Sequence, residues 1–137
     1  MSLLEIYLGE WEGLSTTDIA ERFPEAWASW VKQPDWDLVP GGESTVEFEA
    51  RVAATIEAIF QRHEHGDVLV VTHGGVIQVA LQRIVGNRSQ GIFPFKIQNT
   101  SLSVLEKRNG RVLIAGVNDI AHLEAVAVTE GQGLGDD

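Results

Sequence analysis

With 137 residues the chain is long enough for one domain with a buried core, and 44% apolar residues make it globular rather than disordered. Twenty acidic against ten basic side chains leave a net charge of −10, which repels nucleic-acid phosphate and anionic membranes and argues against both as partners. The absence of cysteine removes disulfides and thiol catalysis and fits a reducing, cytoplasmic setting, while no apolar run approaches the roughly 20 residues of a membrane span.

No basic segment followed by an apolar stretch opens the chain, so no signal peptide is expected. Leu3 to Leu14, punctuated by glycine and tryptophan, predicts an irregular loop with at most a short strand. Ser15-Thr16-Thr17-Asp18 supplies N-cap chemistry for a short helix reaching Phe23, and Pro24 suits the first turn of a second helix, Glu25 to Lys32. Trp27, Trp30 and Val31 share one face of that helix, and Gln33 to Gly42 is a loop rich in Pro, Asp and Gly. Ser44-Thr45-Val46-Glu47 has the form of a capping box. Phe48, Val52, Ile56, Ile59 and Phe60 follow at helical spacing, and the helix is expected to end near His65-Gly66.

Asp67 to Thr72 reads as a strand whose continuous Val/Leu run predicts burial on both faces, as in the parallel sheet of an α/β domain. A helix follows through Val85, with Val76, Ile77, Ala80, Leu81 and Ile84 as its apolar face. Asn87 to Pro94 is a loop. Ser101 to Glu106 and Val112 to Val117 are strands joined at Asn109-Gly110, a strong hairpin signal. Thr129 to Asp137 reads as a flexible tail on a single domain covering 1–137. Three strands are few for a doubly wound sheet, so the pattern reads as the later part of a larger α/β fold.

The segment Val68-Leu69-Val70-Val71-Thr72-His73-Gly74-Gly75 carries the strongest hint of chemistry. An apolar β run ends in an imidazole and two glycines where a helix opens, so free N–H groups and the helix dipole favour an anion there. The C-terminal end of a strand is also where open α/β sheets bind ligands. By itself the segment fits equally a tight βα turn with His73 as a polar cap. Glu5, in a loop with Gly9, Trp11 and Gly13, is a carboxylate suited to acid–base work or an ordinary surface group.

Taken together, five segments resemble the histidine phosphatase superfamily, the phosphoglycerate mutase-like proteins. Glu5-Ile6-Tyr7-Leu8-Gly9-Glu10-Trp11-Glu12-Gly13 is similar to that family's Glu-x-x-x-Gly-x-Trp-x-Gly loop, and Pro40-Gly41-Gly42-Glu43-Ser44 to the segment that leads into a helix. Val70 to Gly75 resembles its second-histidine motif, and Asn99-Thr100-Ser101 and Asn118-Asp119-Ile120-Ala121-His122-Leu123 resemble its C-terminal signatures. The resemblance covers Leu4 to about Leu123. It implies a phosphoglycerate mutase-like three-layer α/β fold, N-terminally truncated and with an incomplete sheet. It also implies phosphoryl transfer, as phosphomonoester hydrolysis or mutase chemistry through a phosphohistidine, on a phosphorylated small molecule. Glu5 then matches the general acid and base, His73 the histidine that hydrogen-bonds the transferring phosphoryl group, Gly74 an amide donor to the same oxygens, and Asn99 a neighbour of the pocket. No metal or other cofactor is implied.

The departure from the family is the nucleophile. The family's Arg-His-Gly and its later Ser-x-x-x-Arg-Ala type segment are not found in these 137 residues. His63 and His65 sit at a helix end, with no carboxylate cluster or cysteine to complete a zinc site, and His122 matches no nucleophilic role. The expectation is therefore weak or no turnover by the isolated chain; the alternatives are a non-catalytic binding or oligomerising module and one half of a split enzyme. In the resembled fold a strand lies beside the one carrying His73, and leaving that edge open predicts a homodimer, with or without strand exchange. Trp11, Trp27, Trp30 and Trp36 crowd one region and are expected to pack against one another.

Overall fold

Two serines start helices in the same way. In the computed structural model, which describes residues 3–86 and 94–123, helix α1 spans Thr16–Arg22 and helix α3 spans Thr45–Arg62. The Ser15 hydroxyl accepts the Asp18 N–H at 3.2 Å while Asp18 accepts the Ser15 N–H at 3.1 Å. Ser44 and Glu47 repeat the exchange at 3.3 and 3.2 Å. Each box satisfies two backbone donors that a helix start otherwise leaves open. Hydrogen bonds from the capping serines hold both the Asp18 and Glu47 carboxyls below their ordinary values.

Helix α2, Pro24–Lys32, has its proline in the first turn, as the sequence predicts. Helix α3 stops at Arg62, earlier than the glycine suggests: His63 caps it, donating to the Ile59 carbonyl at 3.0 Å, and Gly66 serves the turn beyond with φ +84°. Helix α4 spans Gly74–Val85, closed by Gly86 in the left-handed region.

The chain divides into two compact units, Met1–Phe95 and Lys96–Asp137. In the first, Phe48 and Val52 of α3 bury against Val76 of α4 and Ile6, with Ile56, Val79 and Leu8 packed around them. A second cluster joins Trp11, Ile19 and Val39, and the tryptophans pack about it: Trp11 meets Trp27 and Trp30 edge-on at 6.1 and 5.4 Å, and Trp30 meets Trp36 at 4.7 Å. Val31, expected on the same face as Trp27 and Trp30, instead points to solvent at 64% exposure.

One expectation is overturned. Residues 67–72 have no strand pairing, and their side chains are not buried: Leu69 is 81% and Val71 89% exposed. An apolar run is buried on both faces only when neighbouring strands and covering layers flank it. Among the described residues the sheet consists of two strands alone, and both lie in the second unit.

In that unit β1 (Leu102–Arg108) and β2 (Arg111–Asp119) pair antiparallel. Asn109 and Gly110 both take positive φ, +50° and +74°, the backbone of a type I′ turn. Register shifts between Leu102 and Leu105 mark a bulge, and Asn118 at φ +55° accepts the Gln98 N–H at 2.7 Å. The loop expected over 87–94 lies, Pro94 apart, outside the described residues, as does the tail over 129–137. Among the described residues no helix is long and apolar enough to cross a membrane.

Candidate active site

The candidate site forms where an irregular segment meets a helix start. Residues 5–8 belong to no helix or strand, so tertiary hydrogen bonds must hold their shape. The first comes from Thr72, whose hydroxyl donates to the Leu3 carbonyl at 2.7 Å. The second is the contact that defines the site: the Gly75 N–H donates to Glu5 Oε2 at 2.9 Å, across 70 positions of sequence. Glu5 Oε1 accepts from the Ile6 N–H at 3.1 Å. A glutamate is thus seated on the positive end of α4, where helix dipole and open N–H groups favour a carboxylate.

His73 is the N-cap of that helix, with extended backbone (φ −117°, ψ 163°) and a carbonyl that accepts the Ile77 N–H at 3.2 Å. Its side chain does not cap the helix, and the residue is exposed. The structure seats Glu5 on the first turn of the helix that His73 caps and Gly74 opens. It also corrects the prediction of two amides free for an external anion. The Gly75 amide is occupied by Glu5, and a Cβ on Gly75 would stand 2.2 Å from Glu5 Oε1, so glycine is what admits the carboxylate. Beside Gly74 the space is open, with nothing within 4 Å of a Cβ built there. Asn99 belongs to the second unit, exposed in the turn before β1, where its carbonyl accepts the Thr100 hydroxyl at 2.7 Å.

Two further residues were not found by sequence reasoning. Arg51 on α3 meets Glu43 with Nε–Oε1 at 2.5 Å and Nη2–Oε2 at 2.8 Å, a two-pronged pair. The same guanidinium donates to the Leu4 carbonyl at 2.8 Å and the Glu5 carbonyl at 2.9 Å, and stacks over the Phe48 ring at 4.7 Å. The signal available was position: Arg51 falls three residues after Phe48, on the apolar stripe of α3, where a charge needs a partner. Hydrogen bonding to Arg51 pulls the Glu43 carboxyl below its ordinary 4.5, and the same bond raises Arg51. A carboxyl lowered on folding stabilises the protein fully above pH 4.5, and that contribution is lost as pH falls through the folded value.

Chemically, a carboxylate on the first turn of a helix capped by an exposed histidine can move a proton and help hold an anion's oxygens. Among the described residues no group of three or more His, Asp or Glu could hold a metal ion.

Comparison with known proteins identifies a family. The family model for the histidine phosphatase superfamily (branch 1) matches residues 1–120. The chain is 34% identical to a metal-independent phosphoserine phosphatase of Arabidopsis thaliana over 90% of its own length and 51% of that protein's. It is 29% identical to phosphoserine phosphatase 1 of Hydrogenobacter thermophilus over 88% of its length and 57% of that protein's. The solved structure of YhfR from Bacillus stearothermophilus superposes with a TM-score of 0.78 at 28% identity, covering 89% of this chain and 61% of that one. The chain thus spans between half and about three-fifths of these three proteins.

Proposed function

The chain belongs to the histidine phosphatase superfamily (branch 1), and we propose that its site serves phosphomonoester hydrolysis on a phosphorylated small molecule. The observation that carries this reading is the seat of Glu5 on the Gly75 amide beside His73. In the proposed reaction His73 donates to a phosphoryl oxygen and the Gly74 amide supports the same group at the helix terminus. Glu5 delivers a proton to the leaving oxygen as the phosphoryl group passes to a histidine supplied from outside residues 1–137, and then takes a proton from the water that attacks the phosphohistidine and frees that histidine. Charge spread over three phosphoryl oxygens makes such positioned donors the main catalytic device. The phosphatase names of two relatives favour hydrolysis over mutase chemistry, with phosphoserine as the first substrate to try.

In the resembled family the phosphoryl group passes through a histidine in an Arg-His-Gly segment, which residues 1–137 do not contain. The proposal is accordingly that this chain alone binds phosphate and turns over weakly or not at all. In chelator, His73→Ala is expected to weaken inorganic phosphate binding about tenfold, the worth of one hydrogen bond to a charged group. Equal affinity in both proteins overturns the role given to His73. Hydrolysis of phosphoserine that rises on adding a polypeptide with an Arg-His-Gly segment would favour one half of a split enzyme; binding without such a rise would favour a non-catalytic family member.

A second reading, an oligomerising module, is favoured by the exposed run from Val68 to Val71. An unpaired apolar run is a template for another strand, and the same run in a second copy pairs with it about a two-fold axis. Light scattering at micromolar concentration is expected to give a homodimer, and a clean monomer would rule this reading out.

A further inference from the structure

The irregular segment that carries Glu5 is held mainly by one ion pair. Arg51 donates to the carbonyls of Leu4 and Glu5, at 2.8 and 2.9 Å. Glu43, bonded to Arg51, is fastened to Tyr7 on both sides: its N–H donates to the Tyr7 carbonyl at 2.8 Å, and its Oε2 accepts the Tyr7 N–H at 3.3 Å. Four backbone groups on three of residues 4–7 are thereby fixed, three by the Arg51 and Glu43 side chains and one by the Glu43 N–H, all supplied by α3 and its N-terminal approach. The guanidinium fork spans two successive carbonyls and a carboxylate at once, which the single charged head of a lysine cannot do.

We propose that Arg51, braced by Glu43, is a positioning residue that sets the Glu5 carboxylate on the Gly75 amide. The inference rests on the reading of Glu5 as the proton-transfer group. It adds that the placement of Glu5 is controlled from α3 rather than by the loop itself. A carboxylate displaced by about 1 Å from its productive position loses much of its effect on rate, so the pair acts on the chemistry without touching substrate.

The Gly75 amide reports this directly. In the first turn of α4 it has no partner within the helix, so its protection from hydrogen exchange comes from Glu5. Exchange followed by NMR is expected to be about tenfold faster at Gly75 in Glu5→Ala, which sets the scale for a lost hydrogen bond. In Arg51→Met the Gly75 amide is expected to move most of the way to that limit while the Val52 amide, inside α3, stays protected. Arg51→Lys should fall between the two. A merely structural role would instead lower Gly75 and Val52 together, or neither, and either result overturns the proposal.

Should Arg51→Met fail to fold, Glu43→Gln decides. It keeps an acceptor of the same shape but loses the charge that orients the guanidinium, so faster exchange at Gly75 with Val52 unchanged supports the proposal, and no change at Gly75 refutes it. Because exchange reads position and not turnover, failure of the clamp is separable from failure of the phosphatase reading: a protein that places Glu5 as described and yet binds no phosphate sinks only the latter.

Discussion

Gly9→Ala is expected to be the most damaging single methyl added to this chain. Gly9 has φ +49°, and a Cβ there would lie 2.3 to 2.4 Å from three backbone atoms of Pro40, Gly41 and Gly42. Backbone cannot step aside as a side-chain tip can. The left-handed conformation costs a non-glycine residue about 1 kcal/mol or more, and overpacking against fixed atoms adds about 1–3 kcal/mol. The damage also spreads, because the neighbouring Glu10 N–H donates to the Pro40 carbonyl at 2.9 Å and so joins the segment carrying Glu5 to the one carrying Glu43. A total of about 2–4 kcal/mol or more is a large part of the stability of an ordinary domain. Thermal and urea unfolding should show it plainly beside Gly66→Ala, whose site has φ +84° but open space around the new methyl and isolates the conformational cost. Equal destabilisation by the two substitutions would mean that the close approach of the two segments is not what stabilises this region.

What the sequence made legible was local. Ser44 and Glu47 declare a helix start because both partners of the capping box lie within one turn. Asn109-Gly110 declares a hairpin because few residues tolerate two consecutive positive φ angles. The likeness of whole motifs assigned Glu5 and His73 to one site, but the contact of Glu5 with the Gly75 amide was not legible, since nothing in the composition of either segment points across 70 residues to the other. Arg51 stayed hidden for a related reason. Its acceptors are backbone carbonyls 46 and 47 positions away, and a carbonyl leaves no trace in a sequence. The run at 68–71 was misread from the opposite direction. Its residue types are those of a buried strand, but burial depends on what stands beside it, and Leu69 and Val71 lie open.

Gly75→Ala should separate the site from the fold. Within α4 an alanine is intrinsically better than glycine by up to about 1 kcal/mol, and Gly75 does not take a positive φ, so the backbone accepts the change. The atoms in the way are the Glu5 carboxylate: Oε1 at 2.2 Å, Cδ at 2.9 Å and Oε2 at 3.2 Å from the new Cβ. These are the far end of a flexible side chain, which rotates away at small cost. The expected result is an unchanged or slightly raised melting temperature together with a residue-75 amide that exchanges about tenfold faster, having lost its acceptor. In any assembly that turns over phosphomonoesters, the rate should fall on the order of a hundredfold, the lower end of what a positioned acid–base group contributes. The double variant with Glu5→Gln should be scarcely slower than either single one, because both remove the same carboxylate from the same place. A rate left intact by Gly75→Ala would mean that Glu5 works from some position other than the helix terminus, and the catalytic reading of its contact with Gly75 would fall.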